Sequence, residues 1–145
     1  MTKISETYIE NRHRVQPNHA NNYGSVHGGN VMKWMDEVGA MSAMRAADNP
    51  CVTANVDQLS FEAGVPTGDT VVIEAYVFET GQTSLQVRLK AFQEDPETGE
   101  REPTTESYFV FVAVDEDGRP TAVPEVTANS ERCQRLREAA LEGRD

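Results

Sequence analysis

Lysine, cysteine and tryptophan are scarce in this chain, and long apolar runs are missing. Of its 145 residues only Lys3, Lys33 and Lys90 are lysines; the other ten basic side chains are arginines. Against these thirteen stand 24 aspartates and glutamates, so the formal net charge is −11 at pH 7. That charge repels a phosphate backbone, and no segregated basic patch offsets it, so nucleic acid is not an expected partner. No stretch approaches the ~18 apolar residues that span a bilayer, and no charged-then-apolar signal segment opens the chain. Membrane insertion and secretion are therefore not expected. Cys51 and Cys133 belong to no Cys-x-x-Cys or Cys/His cluster, and His13, His19 and His27 have no metal-ligand spacing. The expectation is no metal, and free buried thiols in a reducing cytoplasm.

What is present fits one self-supporting domain over 1–145. Hydrophobic residues make up only 38%, which leaves a very polar surface. A large acid excess with little lysine is the composition expected of a cytosol kept at high salt, where screening removes most of the self-repulsion. No repeat or linker divides the chain.

The local signals give an order β-α-β-β-β-β followed by a C-terminal helix. A first strand is read over Thr7–Val15, then an Asn/Pro/Gly-rich loop over Gln16–His27. From Gly28 to Ala47 the chain reads as a helix, stopped by Asp48-Asn49-Pro50. Its apolar residues cover nearly the whole circumference, which predicts burial on most sides. The period then changes to two over Val52–Phe61, Thr70–Glu79, Ser84–Gln93 and Thr105–Val114, with turn signals between. Short turns predict antiparallel neighbours. A surface helix is read over Asn129–Leu141, with Cys133, Leu136, Ala140 and Leu141 on its apolar stripe. One apolar helix against one long antiparallel sheet is an α+β two-layer domain. To bury that helix, the sheet must wrap it or a partner subunit must cover it.

Two features of the segment Asn21–Glu37 carry chemistry. Gly28 and Gly29 open the helix, so their N–H groups are among the unsatisfied donors of its first turn and suit an anion or a developing oxyanion. Asp36 lies two turns into an otherwise apolar helix. A carboxylate there is either functional or held by a partner, with Lys33 at i−3 or a group across a subunit interface as the structural alternatives.

The ordered set of Asn21, the His27-Gly28-Gly29 turn and Asp36 resembles the hotdog-fold acyl-CoA thioesterases. The likeness continues through the segment ending at Phe61, the Pro66-Thr67-Gly68-Asp69 turn and Gly81-Gln82-Thr83-Ser84. It closes with Phe109–Asp115, Gly118-Arg119 and Val123-Pro124, which resemble the cytosolic, brain-type acyl-CoA hydrolases and their short bacterial relatives. The resemblance implies a long antiparallel sheet wrapped around a central helix, and hydrolysis of an acyl-CoA to free acid and CoA. It implies that Asp36 acts as general base on water or as nucleophile, that Asn21 reaches the site from across a dimer, and that Gly28 or Gly29 polarises the carbonyl. His27 either contacts that carbonyl or only orients the loop, and Asn22 competes with Asn21 for the asparagine role. Arg88, Lys90 and Arg119 are the candidates for the CoA phosphates. No cofactor is needed beyond the CoA of the substrate itself, because a thioester is already activated. The implied assembly is a homodimer built into a trimer of dimers. A non-catalytic acyl-CoA-binding protein and an enoyl-CoA hydratase or dehydratase of the same fold are the alternatives.

Overall fold

A computed structural model describes residues 2–144. In chain order it has β1 (Thr2–Lys3), a 3-10 turn (Ile4–Thr7), β2 (Ile9–Arg14), α1 (Gly28–Ala47) and β3 (Cys51–Val56). There follow β4 (Thr70–Thr80), β5 (Ser84–Glu94), β6 (Arg101–Ala113), β7 (Val126–Thr127) and α2 (Glu131–Arg144). Five strands form one antiparallel sheet in the order β2-β4-β5-β6-β3, and β1 pairs in parallel with β7. The helix α1 packs against all five strands of the sheet.

The Gly28 start and Ala47 end of α1 are those expected. At its C-terminus Asp48 adopts the left-handed conformation, with φ 54°, and its N–H donates to the Met44 carbonyl at 2.8 Å. The burial of α1 is narrower than its composition predicted. Val31, Trp34, Met35, Val38, Gly39, Ala43, Ala46 and Ala47 face the sheet, while Met32, Met41 and Met44 remain partly exposed. The single layer of sheet reaches only one side of the helix.

Hairpins join β4 to β5 and β5 to β6 as the turn signals predicted. The segment expected as a strand over Val52–Phe61 is ladder-paired only to Val56, and its partner is β6 rather than β4. Beyond Val56 the chain keeps to β6 through isolated bonds, Asp57 N–H to the Tyr108 carbonyl at 2.9 Å and Glu62 N–H to the Thr104 carbonyl at 2.8 Å. This makes β3 an edge strand, and all but one of its residues are exposed.

On the opposite face of the sheet lies α2, two residues shorter at its start than expected and three longer at its end. Its Cys133 and Ala140 are buried and its outer residues are solvated. Docking runs largely through main chain: Tyr76 Oη donates to the Leu136 carbonyl at 2.6 Å and Tyr108 Oη to that of Ala140 at 2.8 Å. Arg137 donates to the Phe78 and Val126 carbonyls. Both cysteines are free.

Candidate active site

The loop before α1 is folded around Asn21. Its Oδ1 accepts the N–H groups of Tyr23 at 2.9 Å and Ser25 at 3.2 Å, an Asx-type turn that lets Gly24 take φ 74°. With Oδ1 committed to the loop, the Nδ2 amide is what Asn21 has left to offer a ligand. Asn22 is exposed and makes no such contact.

The same loop sets the start of α1. His27 precedes the helix, and its carbonyl accepts the N–H groups of Asn30 at 3.0 Å and Val31 at 3.3 Å. Of the first-turn donors this leaves Gly28 and Gly29 without a partner among the described residues. The His27 side chain is exposed and does not cap the helix. A Cβ at Gly28 would stand 3.2 Å from the Phe61 ring, so glycine is needed for Phe61 to lie this close; around Gly29 the space is open. Asn21, Val26, Gly28, Val31, Phe61 and Thr104 line a cavity of about 330 Å³.

Asp36 stands eight residues past Gly28, about 12 Å further along the helix axis. It is half-buried and accepts a hydrogen bond from the Thr53 hydroxyl on β3. Lys33, the ion-pair partner that spacing allowed, reaches Glu37 at 4.0 Å instead. One chain thus holds the site in two halves: Asn21 and Gly28 lining the cavity with Gly29 next in the helix, and Asp36 with Thr53 beside the sheet edge. Thr53 was not singled out from sequence, because a threonine in a β-branched run carries no signal beyond strand propensity.

The basic residues expected near the CoA phosphates lie apart from one another. Arg88 is buried on the outer sheet face, paired with Glu106 at 2.9 Å and donating to Tyr76 Oη at 3.3 Å. Its guanidinium is engaged on that face, and Arg88 is not among the residues lining the cavity. Lys90 borders a small recess with Glu62, Phe92 and Thr105, and Glu62 also borders the main cavity. Arg119 is exposed at the Asp115–Gly118 turn, its N–H held by Asp115. Among the described residues no group of three or more His, Cys, Asp or Glu is placed to hold a metal ion.

His13 of β2 stacks on Trp34 of α1 with ring centroids 4.6 Å apart and planes 1° from parallel, and His19 meets the same indole edge-on at 5.0 Å. His13 Nε2 is buried without a partner. Burial pushes its imidazole below the ordinary range; Glu37 opposes this shift and His19 adds to it.

Comparison with known proteins agrees with this architecture. The sequence model of the Thioesterase superfamily matches residues 23–100, more than half of the chain. The chain belongs to that family, and its sheet wrapped on a central helix is the hotdog fold. It is 34% identical to the uncharacterized acyl-CoA thioester hydrolase YkhA of Bacillus subtilis over 137 residues, 94% of this chain and 80% of YkhA. An apo-hexameric acyl-CoA thioesterase superposes with a TM-score of 0.87 at 36% identity, covering 97% of this chain and 90% of that one. An acyl-CoA hydrolase of Staphylococcus aureus, solved with butyryl-CoA, CoA and CoA disulfide, gives 0.87 at 28% identity, covering 97% and 86%. That hydrolase was also solved with an aspartate, an asparagine and a threonine each replaced by alanine.

Proposed function

We propose that this protein hydrolyses acyl-CoA thioesters to a carboxylic acid and CoA. The observation that carries the reading is the pair of unpartnered amides, Gly28 and Gly29, opening α1 beside Asn21, with a hydrogen-bonded carboxylate on the same helix. The amides meet the thioester oxygen as it gains charge, aided by the helix dipole. Asp36 takes a proton from the attacking water and returns it to the departing sulfur as the C–S bond breaks, so CoA leaves as the thiol. Alternatively Asp36 attacks directly and CoA leaves as the thiolate; water then cleaves the acyl–Asp36 anhydride, its proton going to the thiolate and its oxygen to the free acid. Thr53 orients the Asp36 carboxylate. In the S. aureus hydrolase the altered asparagine and aspartate are 15 residues apart and the aspartate and threonine 17. Asn21, Asp36 and Thr53 have the same separations, which supports assigning the roles to these three and to Asn21 rather than Asn22. Lys90, beside Glu62 in the smaller recess, is the candidate kept for a CoA phosphate.

The distance between the two halves implies that they meet between protomers. A second copy pairing along the exposed β3 edge would cover Met32, Met41, Met44, Val52 and Val56, which are 36–50% exposed, and set Asp36 of one protomer toward Asn21 and Gly28 of the other. Pairs of this kind assembled in threes give the trimer of dimers, working in the cytoplasm.

The test is thiol release from an acyl-CoA panel. Asp36→Asn is expected to fold normally and lose nearly all turnover, Asn21→Ala to lose less, and Asn22→Ala little. Substantial activity in Asp36→Asn would remove the assigned role. Acyl-CoA binding without thiol release would point to a binding protein, and a change in enoyl absorbance without thiol release to a hydratase.

A further inference from the structure

One wall of the cavity carries a group that the reaction above does not use. Between β5 and β6 the register jumps: Ala91 faces Thr105 and Phe92 faces Pro103, so Thr104 is a bulge residue with no partner across the ladder. Its carbonyl accepts the Glu62 N–H at 2.8 Å, but its Oγ1 is buried and unpaired, in a residue only 1% exposed. The neighbouring hydroxyls are satisfied. Thr105 Oγ1 donates to the Ser60 carbonyl at 2.6 Å and Ser107 Oγ to that of Asp57 at 3.2 Å, which pins the 57–62 segment to β6. Buried hydroxyls are nearly always paired, and bulges beside sites commonly re-aim one side chain. The only other unpaired buried side-chain polar atom among the described residues is His13 Nε2.

Thr104 lies with Val26 and Val31 among the buried walls of the cavity, while Phe61, 44% exposed, and Glu62 stand at its outside. At about 330 Å³ the cavity sits at the small end of the ~300–1,000 Å³ range of ligand pockets. Gly28, whose amide meets the thioester carbonyl in the reading above, is part of the same lining, so the part of the substrate that reaches the Thr104 wall is the acyl chain next to that carbonyl. Resting on the thioesterase reading, we infer that this subsite takes a short acyl group bearing a neutral hydroxyl, and that Thr104 is the residue that reads it. The threonine hydroxyl both donates and accepts, which suits an alcohol. Glu62 at the rim turns away acyl groups that end in a carboxylate.

The experiment compares kcat/KM for substrates of one shape that differ by hydroxyl against methyl: 3-hydroxybutyryl-CoA with isovaleryl-CoA, and 4-hydroxybutyryl-CoA with pentanoyl-CoA. The wild-type protein is expected to favour the hydroxylated member of at least one pair by about tenfold. Thr104→Val should erase or reverse that preference, and Thr104→Ser should keep it. Because the readout is a ratio within each variant, a general loss of folded enzyme does not imitate it. A wild-type ratio near one in both pairs overturns the inference. So does an equal loss on both members in Thr104→Val, which would place the hydroxyl's partner on the CoA moiety. Wild-type hydrolysis of butyryl-CoA in the same assay tests the thioesterase reading separately; its absence would sink that reading first.

Discussion

Replacing Gly39 by alanine sets two known effects against each other. Gly39 lies inside α1, where alanine favours the helix by about 0.8–1.0 kcal/mol over glycine. A Cβ there, however, would stand 3.0 and 3.1 Å from Phe111 Cζ and Cε2 and 3.2 Å from Leu89 Cδ1. Both side chains are fully buried, and Phe111 is backed by Phe109 at a ring distance of 6.2 Å. Both must give by a few tenths of an ångström inside a packed core. Overpacking of this kind costs ~1–3 kcal/mol, so the net effect is a loss of about 1 kcal/mol. For a chain of this length the unfolding entropy is roughly 0.3 kcal/mol/K, which places the Tm drop at about 3 °C. The relief available is for α1 to lift from the sheet by a few tenths of an ångström. Asp36, three residues earlier on that helix, moves with it, away from Thr53. Turnover in Gly39→Ala should therefore fall more than stability does. Thermal unfolding by circular dichroism and thiol-release kinetics on one preparation decide the matter. A Tm raised by 2 °C or more with unchanged kcat would refute the reasoning, showing that helix propensity outweighs a contact that the core can absorb.

Other expectations concern single groups. Thr53→Val removes the donor to Asp36 and should lower kcat about tenfold or more, with Thr53→Ser restoring much of it; equal kcat in wild type and Thr53→Val would show that Asp36 needs no such support. Trp34 is the single tryptophan, so its emission reports its stacking partner. As pH falls below the usual histidine value of about 6.5, protonation of His13 should quench it, with a midpoint displaced downward by burial. The step should vanish in His13→Gln and persist in His19→Gln. Because the folded state lowers this pKa, the unfolded chain binds the proton first. The stability contribution is therefore full above about 6.5 and is lost as pH falls toward the folded-state value. The net charge of −11 predicts a Tm that rises with KCl into the molar range as self-repulsion is screened; a flat or falling curve would remove the high-salt reading of the composition.

Local signals were legible and long-range ones were not. The bounds of α1 followed from Gly28-Gly29 at one end and Asp48-Asn49-Pro50 at the other, and the β4-β5-β6 meander from its turns. The pairing of β3 with β6 joins segments more than fifty residues apart, as in Cys51 opposite Ala113, and no turn chemistry announces it. That placement is what brings Thr53 to Asp36. Likewise a bulge at Thr104 leaves no mark in the sequence, since it depends on the register of two long strands. The exposed methionines of α1 misled for a different reason. Composition shows that they are apolar, and only the reach of one sheet shows which side of the helix it leaves open. Gly28, Gly29 and Asp36 stood out locally, as a glycine pair opening a helix and a carboxylate inside an apolar one, whereas Asn21 entered only through the family resemblance.

The docking of α2 has a consequence for how this chain tolerates change. Tyr76 and Tyr108 hold the helix by the carbonyls of Leu136 and Ala140, groups that every amino acid supplies. The second lone pair of each oxygen remains for the helix's own ladder. Recognition is thus written partly in two tyrosines of the sheet and in helical backbone, with Cys133, Arg137 and Ala140 the side chains that the helix itself must supply. The outward positions Gln134, Arg135, Glu138, Ala139 and Glu142 are free to drift, and they offer sites for a dye or a surface tether that leave the attachment intact. Tyr76→Phe or Tyr108→Phe, by contrast, cuts a fastening that no helix substitution can replace.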